Sequence, residues 1–164
     1  MTPPEPFRAL EHIQSLPSWL VGRVAARGRS LVAEAIAGEG LKLPHHAVLA
    51  AVFEYGPVAQ ADLVRRLSID AKDLVGFLNH LEGAGLLVRE PDPRDRRKNA
   101  VTVTTKGTRT LRRCAELGER ANEELLSPLD AAERQALIAL LTKLHQVPSP
   151  DADHAQPDAA RQED

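Results

Sequence analysis

In 164 residues the chain has one cysteine, Cys114. A lone thiol cannot close a disulfide within the chain and offers no cysteine cluster to a metal. Long apolar runs are missing too. Nothing approaches the roughly 18 residues that a membrane-spanning helix needs, and the opening MTPPEPFRALEH lacks the basic-then-apolar pattern of a secretory signal. A cytoplasmic protein without membrane contact is therefore expected. There is no glycine-rich phosphate loop, no nucleophile elbow, and no His-x-Glu or His-Glu-x-x-His pattern, so nothing points to an enzyme. Internal repeats are absent. Strong net charge is absent as well, at −2, which at first sight argues against nucleic acid.

The distribution of charge changes that. Residues 145–164 hold five acids and one base, and residues 1–16 two acids and one base, which leaves the body at +3. Within the body Arg94, Arg96, Arg97 and Lys98 fall inside five positions. For a phosphate backbone the local field matters more than the total charge. The remaining composition, 27% charged and 43% apolar, is that of a globular protein with a modest core.

Taken in order, residues 1–16 contain three of the twelve prolines and no apolar period, and are expected to be a flexible arm. A helical pattern runs from Ser18 through Leu20, Val21, Val24, Leu31, Val32 and Ile36 until Gly38-Glu39-Gly40 closes it. Pro44 suits the first turn of a second, largely apolar and buried helix, Pro44–Tyr55. Gln60–Leu67 is a third helix, Ser68-Ile69 a tight turn, and Asp70 the cap of a fourth helix, Ala71–Gly83. Two helices joined by so short a turn make a helix-turn-helix. In the fourth, Leu74, Leu78 and Leu81 stand at the i, i+4, i+7 spacing of one buried face, and Gly83-Ala84-Gly85 supplies a left-handed cap. Leu86–Arg89 and Ala100–Thr104 are β-prone runs around a basic tip, Pro91–Asn99, the layout of a wing.

From Thr105 the helical period returns at Leu111, Cys114, Leu117, Ala121 and Leu125, and Ser127-Pro128 stops it. Asp130 through Glu133 form a capping box for a last helix with Leu137, Ile138, Leu140, Leu141 and Leu144. Residues 146–164 have no apolar period and read as a disordered acidic tail. The fold class expected is mainly α, a winged helix-turn-helix over 44–104 flanked by an N-terminal helix (17–43) and C-terminal helices (105–145) that form a dimerisation region. Those flanking helices carry more apolar surface than a small winged helix can cover, and a second copy is the simplest partner. Two-fold symmetry also sets two recognition helices one DNA turn apart.

Opposite the leucine stripe the fourth helix presents Lys72, Asp73, Val75, Gly76, Asn79 and His80. Lys72 and His80 suit phosphates, Asn79 an adenine edge and Val75 a thymine methyl, while Gly76 lets the backbone approach the groove. Asp73 can accept from cytosine N4 or simply complement the helix dipole, and the dipole reading ranks first. At the tip, Arg94, Arg96, Arg97 and Lys98 suit a narrow minor groove, with Asp92 and Asp95 holding the arginines in place. On charge alone, a solvated hairpin of mixed sign is an equal alternative.

Leu81-Glu82, Gly85-Leu86, Asp92-Pro93-Arg94-Asp95-Arg96-Arg97 and Thr105-Lys106-Gly107 stand in the order and spacing of a known signature. On these motifs residues 17–144 resemble the multiple antibiotic resistance regulator (MarR) family of dimeric winged-helix transcription factors. The resemblance implies that Arg97 enters the minor groove with Arg96 and Asp95 in support, and that the first and last helices build a homodimer. It also implies a cavity for a small, commonly aromatic, effector. Many members have Ser or Thr where Asp73 and Val75 stand and Arg where Gly76 stands, so the operator sequence is not transferable.

The expected function is a sequence-specific transcriptional regulator, a ligand-responsive repressor binding a pseudo-palindromic duplex as a homodimer. A non-specific architectural DNA binder or a winged helix used for protein contact is the alternative. Trp19, Arg23, His45, His46 and Phe53 are candidates for the effector cavity, although for Trp19 and Phe53 the plain core reading ranks first. No metal site is expected, because adjacent histidines point to different helix faces without an acid or cysteine cluster. Cys114 reads as inert core, with oxidant sensing the alternative.

Overall fold

A computed structural model describes residues 8–92 and 99–146. The described residues divide into two compact units at Leu125–Leu126. The first holds α1 (Ala9–Ser15), α2 (Pro17–Ala37), α3 (Leu43–Tyr55), β1 (Val58–Ala59), α4 (Gln60–Leu67), α5 (Ala71–Gly83), β2 (Leu87–Pro91), β3 (Asn99–Val103) and α6 (Thr105–Leu125). The second is α7 (Ala131–His145), whose Asp130–Glu133 capping box is in place, with Glu133 N–H donating to Asp130 at 2.9 Å and Asp130 N–H to Glu133 at 2.9 Å.

The helix-turn-helix forms where its local signals sit. α4 ends at Ser68, which takes a left-handed backbone (φ 50°), and Asp70 then caps α5 by accepting from the Lys72 N–H at 2.8 Å. Leu74, Leu78 and Leu81 are fully buried along α5. The far end of α5 closes as a Schellman motif. Gly85 sits at φ +71°, its N–H reaches the Glu82 carbonyl at 2.8 Å, and the Leu86 N–H reaches Leu81 at 2.9 Å.

Leu86 is thereby consumed by the cap, so β2 begins at Leu87, one residue later than the apolar run begins. Thr104 leaves β3 for a similar reason: its hydroxyl oxygen accepts from the Gly107 N–H at 2.9 Å and so opens α6. Gly107 must be glycine, because a Cβ there would lie 2.1 Å from the Leu86 carbonyl oxygen. The hairpin is antiparallel, with Leu87 opposite Val103 and Pro91 opposite Asn99. A third strand, β1, pairs with the other edge of β3, giving the order β1-β3-β2. Two residues are too short to show alternation, and β1 has no sequence signal.

The core lies where α3 crosses α5 and α6, around Val48, Leu49, Val52, Leu78 and Cys114. α2 runs antiparallel to α6, with Glu39 of the loop after α2 3.8 Å from Arg113 and Gly28 facing Leu125. Because Leu125 ends α6, the half of α2 before Gly28 overruns it. That overhang leaves Trp19, Leu20, Val21 and Val24 exposed. Trp19 is therefore not core. Nor is Phe53, which is 50% exposed on α3. The expected loose arm is also corrected in part: residues 9–15 form a helix, with no buried residue, which is too short to display a period. No helix among the described residues is long and apolar enough to cross a membrane.

Candidate nucleic-acid interface

α5 offers one continuous exposed face beside the wing strands. Lys72, Asp73, Val75, Gly76 and Asn79 are all exposed on it. A methyl group built on Gly76 would meet nothing within 4 Å, so the middle of this face is open. Asp73 lies in the first turn, where a carboxylate complements the helix N-terminus. Asn79 is not free-standing: its Oδ1 accepts from Arg89 of β2 at 2.9 Å, and the same guanidinium pairs with Glu82. Neither Arg89 nor Glu82 stood out for this role in the sequence, since the contact bridges an apolar-looking strand and a helix ten residues away.

His80 is exposed as well, and two neighbours engage it. Its Nε2–H donates to the Gly40 carbonyl at 3.1 Å, and its ring stacks on His45 with centroids 4.1 Å apart and planes 8° from parallel. His45 in turn accepts from the Lys42 N–H through Nδ1 at 3.2 Å and meets the Phe77 ring edge-on. Burial first, then the neighbouring His80 and Lys42, hold the His45 ring below its ordinary value of 6.5. The two histidines thus tie α5 and the start of α3 to the loop after α2. Gly40 and His45 lie forty and thirty-five residues before His80, a meeting that sequence spacing does not reveal.

β2 and β3 bring the chain to the base of the wing tip at Pro91 and Asn99. Asp92 is half-buried there. Arg94, Asp95, Arg96, Arg97 and Lys98, expected to contact or support DNA contact, lie outside the described residues, as do residues 147–164 of the tail expected over 146–164.

The five effector-cavity candidates occupy several surfaces. Trp19 and Arg23 pair with each other on the α2 overhang, the guanidinium 5.7 Å from the ring centroid. His46 is half-buried on α3, and burial lowers its pKa. Phe53 stands two turns further along α3, and His45 faces His80. A separate cleft of about 370 Å³ lies between α2 and α6, lined by Leu31, Ala35, Leu117, Ala121 and the charged Glu34, Arg120 and Glu124. None of the five candidates lines it. Cys114 is buried, and burial with Glu39 nearby raises its pKa, which keeps the thiol protonated. No group of three or more His, Cys, Asp or Glu side chains suited to a metal occurs among the described residues.

A three-helix core with helix-turn-helix and antiparallel wing strands defines a winged-helix protein, and comparison with known proteins agrees. A family model described as the MarR family matches residues 39–98. The transcriptional repressor NicR of Pseudomonas putida is 32% identical over 96 residues, 58% of this chain and 61% of NicR. The match thus spans about three-fifths of that relative's length. The crystal structure of MarR from E. coli superposes with a TM-score of 0.71 at 27% identity, over 81% of this chain and 97% of that one. BpsR of Bordetella bronchiseptica, a structure concerned with regulation of DNA binding by 6-hydroxynicotinic acid, gives 0.67 at 26% identity, over 87% and 99%. Residues 39–98 thus carry the MarR-family pattern, and the proteins similar to this chain include a transcriptional repressor.

Proposed function

We propose that this protein is a sequence-specific transcriptional repressor that binds a pseudo-palindromic duplex as a homodimer and releases it when a small aromatic ligand binds. The observation that carries the reading is the exposed face of α5, set rigidly on a fully buried leucine stripe and flanked by a hairpin whose tip is rich in arginine. An α-helix fits the major groove, and side chains such as Lys72, Val75 and Asn79 reach phosphates and base edges there. Arg94, Arg96, Arg97 and Lys98 serve the flanking minor groove, with Asp92 and Asp95 orienting them.

Dimerisation is supported by exposed apolar surface in both units. Leu16, Leu20, Val21 and Val24 cover the α2 overhang, and Ile138, Leu140, Leu141 and Leu144 project from α7. Surface of that kind at an unpartnered helix marks an interface. The effector class follows from a relative, BpsR, whose DNA binding is regulated by an aromatic acid. His46 and Phe53 on α3, with Trp19 and Arg23 on α2, are the side chains proposed to meet it.

The test is selection from random duplexes by purified protein at physiological salt. An enriched inverted repeat with half-sites about one helical turn apart supports the reading. Binding without sequence preference would favour an architectural role instead. In the wing, Arg97→Ala should cost about 1–3 kcal/mol of operator binding while the dimer persists in sedimentation. Unchanged operator affinity in that variant would remove the wing from the mechanism.

A further inference from the structure

Arg89 reaches from β2 to α5, where one guanidinium nitrogen donates to Asn79 Oδ1 at 2.9 Å and another pairs with Glu82. Its side chain is only 24% exposed, so the fork is held by its surroundings as well as by its partners. A guanidinium can only donate, and the amide of Asn79 must therefore turn its oxygen toward Arg89. That settles which end of the amide is which. The NH2 end is left as the part of Asn79 that can face outward, on the same exposed surface as Val75 and the open Gly76.

We propose that Arg89 is a positioning residue for base readout, holding Asn79 so that its NH2 donates to N7 of a purine in the major groove. The inference rests on the DNA-binding reading above. An asparagine free to flip presents an acceptor or a donor and can pair with several base edges. One whose oxygen is engaged presents donors, and N7 is an acceptor on both adenine and guanine. The position read by Asn79 is then purine rather than adenine alone. Thymine O4 is the competing acceptor, and a probe lacking N7 distinguishes the two. Glu82 contributes by fixing the second prong of the fork, since a guanidinium bound at two points cannot swing away.

The experiment uses the full-length protein and the duplex found by selection, with each purine replaced in turn by its 7-deaza analogue. Wild type should lose roughly tenfold in affinity at one position of each half-site, the size expected for one direct base contact. Asn79→Ala should show no loss at that position. Arg89→Met and Arg89→Lys should lose most of the sensitivity, while the slope of affinity against salt stays that of wild type. The lysine variant keeps the charge and stem but cannot bridge Asn79 and Glu82 together, so it serves if the methionine variant melts early. Undiminished 7-deaza sensitivity in both Arg89 variants would overturn the proposal. So would a salt slope reduced by about one, which would make Arg89 itself a phosphate contact. A wild type that selects no sequence would sink the DNA reading beneath it, and the inference with it.

Discussion

α5 and the first half of α2 are both helices with apolar stripes, yet one stripe is fully buried and the other about half exposed. Leu74, Leu78 and Leu81 are buried on α5, which packs against α3, α4 and β2, whereas Leu20, Val21 and Val24 are exposed. The difference is not in the residues. α5 is bracketed by elements a few residues away on each side, so its stripe is covered as soon as the helix-turn-helix closes. α2 is longer than the stretch of α6 it packs against, since α6 ends at Leu125 opposite Gly28, and α1 packs on α2 as well. Periodicity announces that a face will be covered; it is silent on whether the cover comes from the same chain.

That contrast predicts opposite outcomes for similar truncations. Leu78→Ala should destabilise the fold by about 2–5 kcal/mol, the range for removing a buried leucine from a packed core, as read by chemical denaturation. A loss under about 0.5 kcal/mol, typical of surface positions, would mean the stripe is not the core of this unit. Leu20→Ser with Val24→Ser should leave helical content intact and weaken self-association, measured by sedimentation across a concentration series. If the double variant associates as wild type does, the overhang is not the dimer face and the comparison loses its second half.

A smaller effect sharpens the link between the two regions, because His45 and His80 join α5 to the loop at the end of α2. His45 is held below 6.5 in the fold, so on acidification the unfolded chain takes up the proton first. The neutral ring's contribution is complete above about 6.5 and is lost as pH falls below it. His46, lowered by burial, acts in the same direction. Thermal melts should therefore soften as pH falls below about 6.5, and His45→Gln, whose side chain can still accept from the Lys42 N–H, should lessen that slope. An identical slope in the variant would remove His45 as its source.

How much of this was legible beforehand depends on the range of the interaction. α4 and α5 have the bounds their capping residues and glycines set, and the α7 capping box is where Asp130 and Glu133 put it, because those signals act within four residues. β2 starts one residue after its β-prone run and β3 ends one residue before the end of its own, since Leu86 and Thr104 have hydrogen-bonding duties in the neighbouring caps. α1 and β1 leave no signal in the sequence because seven residues and two residues are too few to show a period. At the candidate site, the exposed face of α5 followed from the leucine stripe by elimination. The bond from Arg89 to Asn79 and the His45–His80 stack did not, since each depends on two elements meeting at a particular angle.

The sequence alone determined the helix-turn-helix, the wing and the family pattern, because local caps, glycines and a short charged motif encode them within neighbouring residues. Tertiary structure alone decided which apolar faces are covered, which end of Asn79 faces outward and where His80 spends its hydrogen bond. Those outcomes rest on distances between segments remote in the chain, and no spacing along one segment specifies what a second segment will bring to it.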